Sequence, residues 1–560
     1  AEYVHDPVEI VGHLGWRRSM YEHPAHGVEH GQHALLVCHL STRDAGEQCI
    51  GSTPIGNTGD TDVRVDDAHN LLLVMAIGSM SGFRWPDMTM LYCTKRNLNV
   101  VVHRPGGRGC CIISPVASIE FARRPQRASP EEINVSVTIR QIEAIPLTMM
   151  FKPDLAPHLI RSGLLSFNNR MTLYRVELQD GTIGYGDAMG EVTDTGDFVG
   201  ADAMTSLRRV LHGGVQMALY DAVGKSLGVP AHVLMGRQVR SSIALGYWTA
   251  EVPPDVLGCH AAEAATLGYR VYKTKCRPWW DPVAQVEAAA AAVGDSGLRL
   301  WLDFNGFLGN SRQALRVLQE LARFDCVAGF ESPIPQRDAE GYREIRAAID
   351  RPVAAHFGSG CCHVRSIPRW DPGMPASEQI SRNLCDAFVL GGSDVERLRS
   401  QAAVADEAGR PFWIQTIGSG LRVAWLAHIA STCQQATLSN LAAHTIWQRD
   451  LTQLPTVQAG QLSVPEGPGL GVQLDEDAVE QLRHLPAPEQ PRRITTVVTT
   501  DGTRRHFSSD GQRNEAFYMN EVQGFLPGIR LDTRTDDGST DFEDLFRRCS
   551  VMPVVESALL

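Results

Sequence analysis

The sequence lacks the features that mark several protein classes. No apolar run approaches the roughly 20 residues needed to span a bilayer, and residues 1–30 have no apolar core of a secretory signal. No basic run is present, and a formal charge of −12 at pH 7 argues against a general nucleic-acid binder. The 13 cysteines are odd in number, include two adjacent pairs (110 with 111, 361 with 362) and never form C-x-x-C. That usage suits neither a disulfide framework nor a zinc site, so reduced thiols and a cytoplasmic protein are expected. The chain starts at Ala1 rather than Met, which leaves room for a processed leader. No internal repeat is visible beyond the strand–helix period described next.

What is there is a soluble globular composition, 43% hydrophobic and 21% charged over 560 residues. That length predicts about two to four domains. Between about residues 240 and 450, short apolar pieces alternate with stretches of helical period. The strand-like pieces are "SSIALGYW", "YRVYKTK", "LRLWLDFN", "CVAGFESP", "RPVAAHFG", "CDAFVLGG", "RPFWIQTIG" and "ATLSNLAA". Eight strands with helical crossovers predict a closed (β/α) barrel, with a doubly wound sheet as the alternative. Ahead of it, "INVSVTIRQIEAIPL" and "LYRVELQDGTIGYGDA" read as antiparallel strands, the second turning at Asp180–Gly181. "VQMALYDAVGKSLGVP" reads as a helix stopped by Gly228 and Pro230. Residues 1–132 read as β-rich, and the tail from about 490 as a hairpin followed by a helix.

The informative pattern is polar residues at strand ends. In "VYKTKCRPWWD", Lys273 and Lys275 alternate along one strand, so both amines leave the same face. Burying two ammonium groups side by side is costly and demands a reason. Asp303 and Asn305 end the next strand, Glu331 the fourth and His356 the fifth; Asp386 lies on the sixth and Gln415 ends the seventh. The steps are about 25 to 30 residues, one strand–helix unit each, and in a barrel such ends converge on one mouth. Singly, a carboxylate there is more often a helix N-cap, and a histidine is as readily a satisfied core residue. Jointly, the regular spacing predicts an active site. Asp303, Glu331 and His356 offer two carboxylates and an imidazole to a divalent ion. Such an ion would chelate a substrate carboxylate and stabilise the enediolate left when its α-proton departs. Like-charge repulsion, burial and a nearby cation lower a lysine's pKa, so one amine of the pair would act as a neutral base.

These motifs, with "LWLDFNG", "GFESPIP", "CDAFVLGGS", "VPEGPGLGV", "LQDGTIGYGDA" and "ALYDAVGKSLGVPAHVLMG", resemble the enolase superfamily, mandelate racemase/muconate lactonizing branch, over about residues 133–480. The resemblance implies a modified (β/α)7β TIM-like barrel with an α+β capping domain. It is flanked here by a β-rich N-terminal extension and a short C-terminal extension. The expected divisions are 1–132, the cap at 133–238, the barrel with its return to the cap at 239–489, and 490–560. Superfamily sites pair a lysine or histidine base with magnesium-stabilised enediolates. The resemblance therefore implies Lys275 as base, Lys273 as its partner, Asp303 and Glu331 as metal ligands, and Asp386 as the aspartate of a catalytic dyad.

The chain departs from that family pattern in three places. His356 stands where a third acidic ligand is usual, which admits Mn2+ or Zn2+ beside the expected Mg2+. Gln415 replaces the dyad histidine and cannot transfer protons. Only about 25 residues separate Glu191 from the helix of "ALYDAVGK", so cap helices are expected to be missing. With one face lacking its base, proton abstraction by Lys275 followed by β-elimination of water is expected, as in sugar-acid dehydratases. A racemase, epimerase or cycloisomerase is the close alternative, and a catalytically degenerate binding barrel the distant one.

Asn305, Gln415 and Gly418 complete the expected substrate contacts. Gly418 and Gly420 in "TIGSGLRVAW" read as an ordinary glycine turn more readily than as one whose N–H groups cradle an anion such as a substrate carboxylate or phosphate. Trp279 and Trp280 either wall the pocket or pack on the cap. His23, His26, His30 and His33 are ligands by type but more commonly surface residues, and "RTDDGSTDF" reads as a solvated loop rather than a calcium site. The expected partners are a small carboxylate substrate and further copies of the chain, with no nucleic acid and no membrane.

Overall fold

The structure, a computed structural model, describes six strands before residue 137, and residues 137–560 except 163–168, 191–194, 210–211, 361–370, 392–393, 487–490 and 558–560. The chain divides into two units, 1–133 and 134–560. In the first, Ala34–His39 pairs antiparallel with Leu72–Ile77. Cys49–Thr53, Met88–Thr94, Asn97–His103 and Cys111–Ile112 form a four-stranded antiparallel sheet in that order. The four histidines of residues 23–33 lie outside the described residues.

The second unit opens with a three-stranded antiparallel sheet of Ile139–Thr148, Arg170–Leu178 and Ile183–Met189. Its hairpin turns at Asp180–Gly181, where Gly181 takes φ +85° and Asp180 accepts from Thr182 N at 2.8 Å. The helix Gly213–Leu227 lies across this sheet, and two glycines let it come close. A Cβ at Gly184 would sit 2.2 Å from Ala218 O, and one at Gly186 2.2 Å from Gly214 O. Gly228 ends the helix in the left-handed conformation (φ +68°). Between Gly190 and that helix, the described residues hold only a 3-10 turn and the four-residue helix Ala203–Ser206, so the cap is sparse in helix there.

The barrel strands are Tyr247–Trp248, Val271–Lys275, Arg299–Asp303, Val327–Glu331, Val353–His356, Ala387–Gly391 and Phe412–Gln415, all parallel and paired in chain order. Residues 438–442 close the ring. Leu441 pairs with Gln415 on one side and Asn440 with Leu245 on the other. The carboxyl and amide caps expected of crossover helices are present: Asp281, Asn310, Asp338 and Asp394 each accept from the first turn of the helix they precede. After the barrel the chain returns to the cap, where Leu470 N donates to Asp221 Oδ1 at 2.8 Å.

A four-stranded antiparallel sheet follows, ordered Arg530–Thr535, Arg493–Val498, Arg504–Phe507, Val554–Glu556, with helices Asp510–Tyr518 and Thr540–Val551. The acids of "RTDDGSTDF" are engaged locally: Asp536 pairs with Arg492, Asp537 with Arg534, and Ser539 caps the last helix. This module has a core of its own that includes two barrel residues, Trp279 and Phe307. Trp279, fully buried, packs on Phe307 and Phe517 beneath the Arg513 guanidinium. The tryptophan therefore packs against the C-terminal extension and not against the cap.

Candidate functional site

Strand register assembles the centre. Lys275, Asp303 and Glu331 are the last residues of three neighbouring strands, and Lys275 pairs with Asp303 as Asp303 pairs with Glu331. Being equivalent in register, their side chains enter the barrel at one level. Lys273, two residues earlier, enters one level deeper. Its Nζ lies 2.5 Å from Glu331 Oε2 and 3.3 Å from Asp303 Oδ2, and it donates to Gln415 Oε1. Lys275 donates to Asp303 Oδ2, while Asp303 Oδ1 accepts from Asn305 N at 2.9 Å.

Two amines thus balance two carboxylates in a nearly dry interior, where an unpaired member would cost several kcal/mol. Burial pushes the Lys275 pKa below the usual lysine range, and the Lys273 and Arg277 charges push the same way against Asp303 and Glu331. Burial disfavours ionised Asp303, but Lys275, Lys273 and Arg277 outweigh it and hold its carboxyl well below the usual range.

His356 ends the fifth strand with Nε2 at 3.2 Å from Glu331 Oε1. Its backbone is fixed by Gln336 and Gln379, whose amides both donate to His356 O at 2.9 Å. Asp303, Glu331 and His356 supply donor types that a divalent cation accepts, and both buried Glu331 oxygens lack an aligned hydrogen bond despite the close Lys273 charge. The carboxylate pair therefore fits a cation. Among the described residues, however, no three histidine, cysteine or acidic side chains converge as a ligand set, and the Lys273 ammonium lies between the carboxylates.

Two expected site residues stand elsewhere. Asp386 immediately precedes the sixth strand, which starts at Ala387, and so lies at the end of the barrel opposite Lys275. There it pairs with Arg346 and accepts from Val353 N at 2.9 Å, a structural role. Gly418 donates its N–H to Ala442 O at 2.9 Å, and the following amides are already taken. Ser419 N donates to Asp187 of the cap and Gly420 N to Asp450, both at 2.6 Å. The turn does cradle anions, but they are the chain's own carboxylates, so it offers these donors to no substrate.

Asn305 is at the site in a left-handed conformation (φ +45°), its Oδ1 accepting from Arg277 Nη2 at 2.9 Å. Gln415 faces Lys273, as above. Arg277 and Glu251, both buried and 3.7 Å apart, were not singled out from sequence. A signal existed for Arg277, since "KTKCR" continues the alternation of the two lysines. Trp301 and Trp413 meet edge-to-face 5.2 Å apart. With Leu441 they line a cavity of about 280 Å³ that reaches Lys273 from the start of the strands.

With that geometry in place, the comparisons are informative. Residues 258–365 and 377–478 match the family described as enolase C-terminal domain-like. The chain is 24% identical over 387 residues to muconate cycloisomerase 1 of Rhodococcus opacus, covering 61% of this chain and 99% of that protein. It is 27% identical over 309 residues to a probable glucarate dehydratase of Streptomyces coelicolor, covering 51% and 68%. Among solved structures, the N-succinyl Arg/Lys racemase of Bacillus cereus superposes with a TM-score of 0.48 at 18% identity, covering 62% of this chain and 98% of that one. The barrel is of enolase type. Residues 258–478 are thus similar to the enolase superfamily's C-terminal barrel, and the curated relatives include a muconate cycloisomerase and a probable glucarate dehydratase.

Proposed function

We propose that this enzyme removes the α-proton of a hydroxylated carboxylate, a sugar acid, with Lys275 as the base, and then eliminates a β-hydroxyl as water. The observation that carries the proposal is the register of Lys275, Asp303 and Glu331 across three adjacent strand ends. Superfamily members depend on a divalent metal, typically Mg2+; in this chain Asp303 and Glu331 would hold it. When bound, such an ion neutralises the charge that builds on the substrate carboxylate.

The remaining chemistry belongs to the protein. Burial and the Lys273 charge favour neutral Lys275, the form that accepts a proton. Lys273 offsets the negative charge of Asp303 and Glu331 and holds Gln415. Among the described residues, Gln415 stands on the wall where a second base would be and cannot serve as one, and Asp386 is at the wrong end. That asymmetry supports elimination over two-base racemisation. A cycloisomerase begins or ends with the same proton step, and the full-length match to muconate cycloisomerase 1 favours it as the second reading. Incubation with sugar acids and with muconate-type lactones in D2O, followed by product analysis, separates the two. Pyruvyl-type 2-keto acids support dehydration, and ring opening or closure supports the second reading.

A further inference from the structure

We propose that residues 493–556 form a positioning module for the reactive end of the third barrel strand, with Tyr518 as its positioning residue. The family match ends at residue 478, before this module begins. It attaches to the two loops that follow Lys275 and Asp303. On the first loop, Phe525 N donates to Pro278 O at 2.8 Å, Gly528 N donates to Asp281 Oδ2 at 3.2 Å, and Arg513 covers Trp279. On the second, Tyr518 Oη donates to Asn305 O at 2.8 Å, and its ring stacks on Phe307 with centroids 4.0 Å apart.

The grip matters because of what Asn305 does. Asn305 takes the left-handed region, which asparagine enters more readily than other non-glycine residues, and the contacts around it select that conformation. Among the contacts that hold it are its N–H on Asp303 Oδ1, its Oδ1 under Arg277, and its carbonyl under Tyr518. Held this way, Asn305 fixes one oxygen of Asp303 and leaves the other facing Lys275 and Lys273. Removing the Tyr518 hydroxyl loosens the turn, then the carboxylate, and with it the orientation of the base.

The catalytic part of this inference rests on the proton-abstraction reading, whereas its structural part does not. The test compares wild type, Tyr518→Phe, which keeps the ring stack, and Phe542→Leu, which weakens the module's own packing away from Asn305. Deuterium uptake by the peptide spanning residues 303–309 is read by mass spectrometry, and α-proton exchange by NMR. Expected for Tyr518→Phe is uptake ~10-fold faster in that peptide and a kcat ~10-fold lower at unchanged KM, the size of one lost buried hydrogen bond. Phe542→Leu should lower Tm and move neither. Unchanged uptake in Tyr518→Phe, or the same change in both variants, overturns the inference. If wild type exchanges no proton with any acid, the proton-abstraction reading fails, and uptake at 303–309 still decides whether Tyr518 holds this turn.

Discussion

Lys273 Nζ lies 2.5 Å from Glu331 Oε2, an ion pair with both side chains almost wholly out of solvent. The same ammonium reaches Asp303 Oδ2 at 3.3 Å, so one lysine bridges both carboxylates while the other contacts Asp303 alone. This division gives the two amines different tasks. Lys273 is locked in place by charge, and burial drives down the pKa of Lys275 at the rim.

Lys273→Gln should therefore raise the Lys275 pKa. It removes a like charge and leaves Asp303 and Glu331 to favour the ammonium form of Lys275. Since the neutral amine is the active form, the acidic limb of the proton-exchange profile should move to higher pH. A pH series of exchange rates by NMR checks this.

Glu331→Gln should weaken divalent-cation binding at least ~10-fold by calorimetry with Mg2+ and Mn2+. It also removes one carboxylate from a buried, balanced set, so denaturant unfolding should show a loss of about 3 kcal/mol.

Asp386→Asn should leave proton exchange within about twofold of wild type while costing about 1 kcal/mol of stability, since Asp386 serves Arg346 and Val353 N at the far end of the barrel. Exchange rate and Tm measured on one preparation separate the two effects.

Asp450 provides a pH signature away from the centre. Burial, with repulsion from Asp187, pushes its carboxyl up to about 6 against the hydrogen bonds from Gly420 and Leu451 N–H. A carboxyl raised on folding binds more protons folded than unfolded between roughly pH 4 and 6, so its contribution to stability falls across that window as pH rises. Asp450→Asn keeps an acceptor for the amides and removes the charge. It should raise stability by about 2–3 kcal/mol at pH 8 relative to wild type, with the difference gone near pH 4. Tm measured across pH checks it.

Much of this was legible in the sequence, for reasons that differ by residue. The two lysines stood out because a two-residue alternation puts both on one face, and Asp303 and Glu331 because each closes an apolar strand. Asp386 misled, because a short strand reads the same from either end. "CDAFVLGG" places its acid at the start, where the chain enters the sheet. Gly418 misled differently. Its turn has the form of an anion cradle, but the carboxylate on Ser419 N comes from Asp187, 232 positions away, which no local pattern reveals. The hold of Tyr518 on Asn305 is likewise long-range, and aromatic residues in a C-terminal helix predict a core without saying whose.

In the proposed reaction Lys275 takes a proton from the carbon next to a substrate carboxylate. The most direct measurement is deuterium incorporation at that carbon. Wild type and Lys275→Ala are incubated in D2O with a small set of sugar acids, first with Mg2+ and then with Mn2+, and the α-proton is followed by NMR. With Lys275 as the base, wild type exchanges with at least one acid, and Lys275→Ala loses at least ~100-fold. Exchange that survives unchanged in Lys275→Ala, or none in wild type with any acid and either metal, would contradict that role.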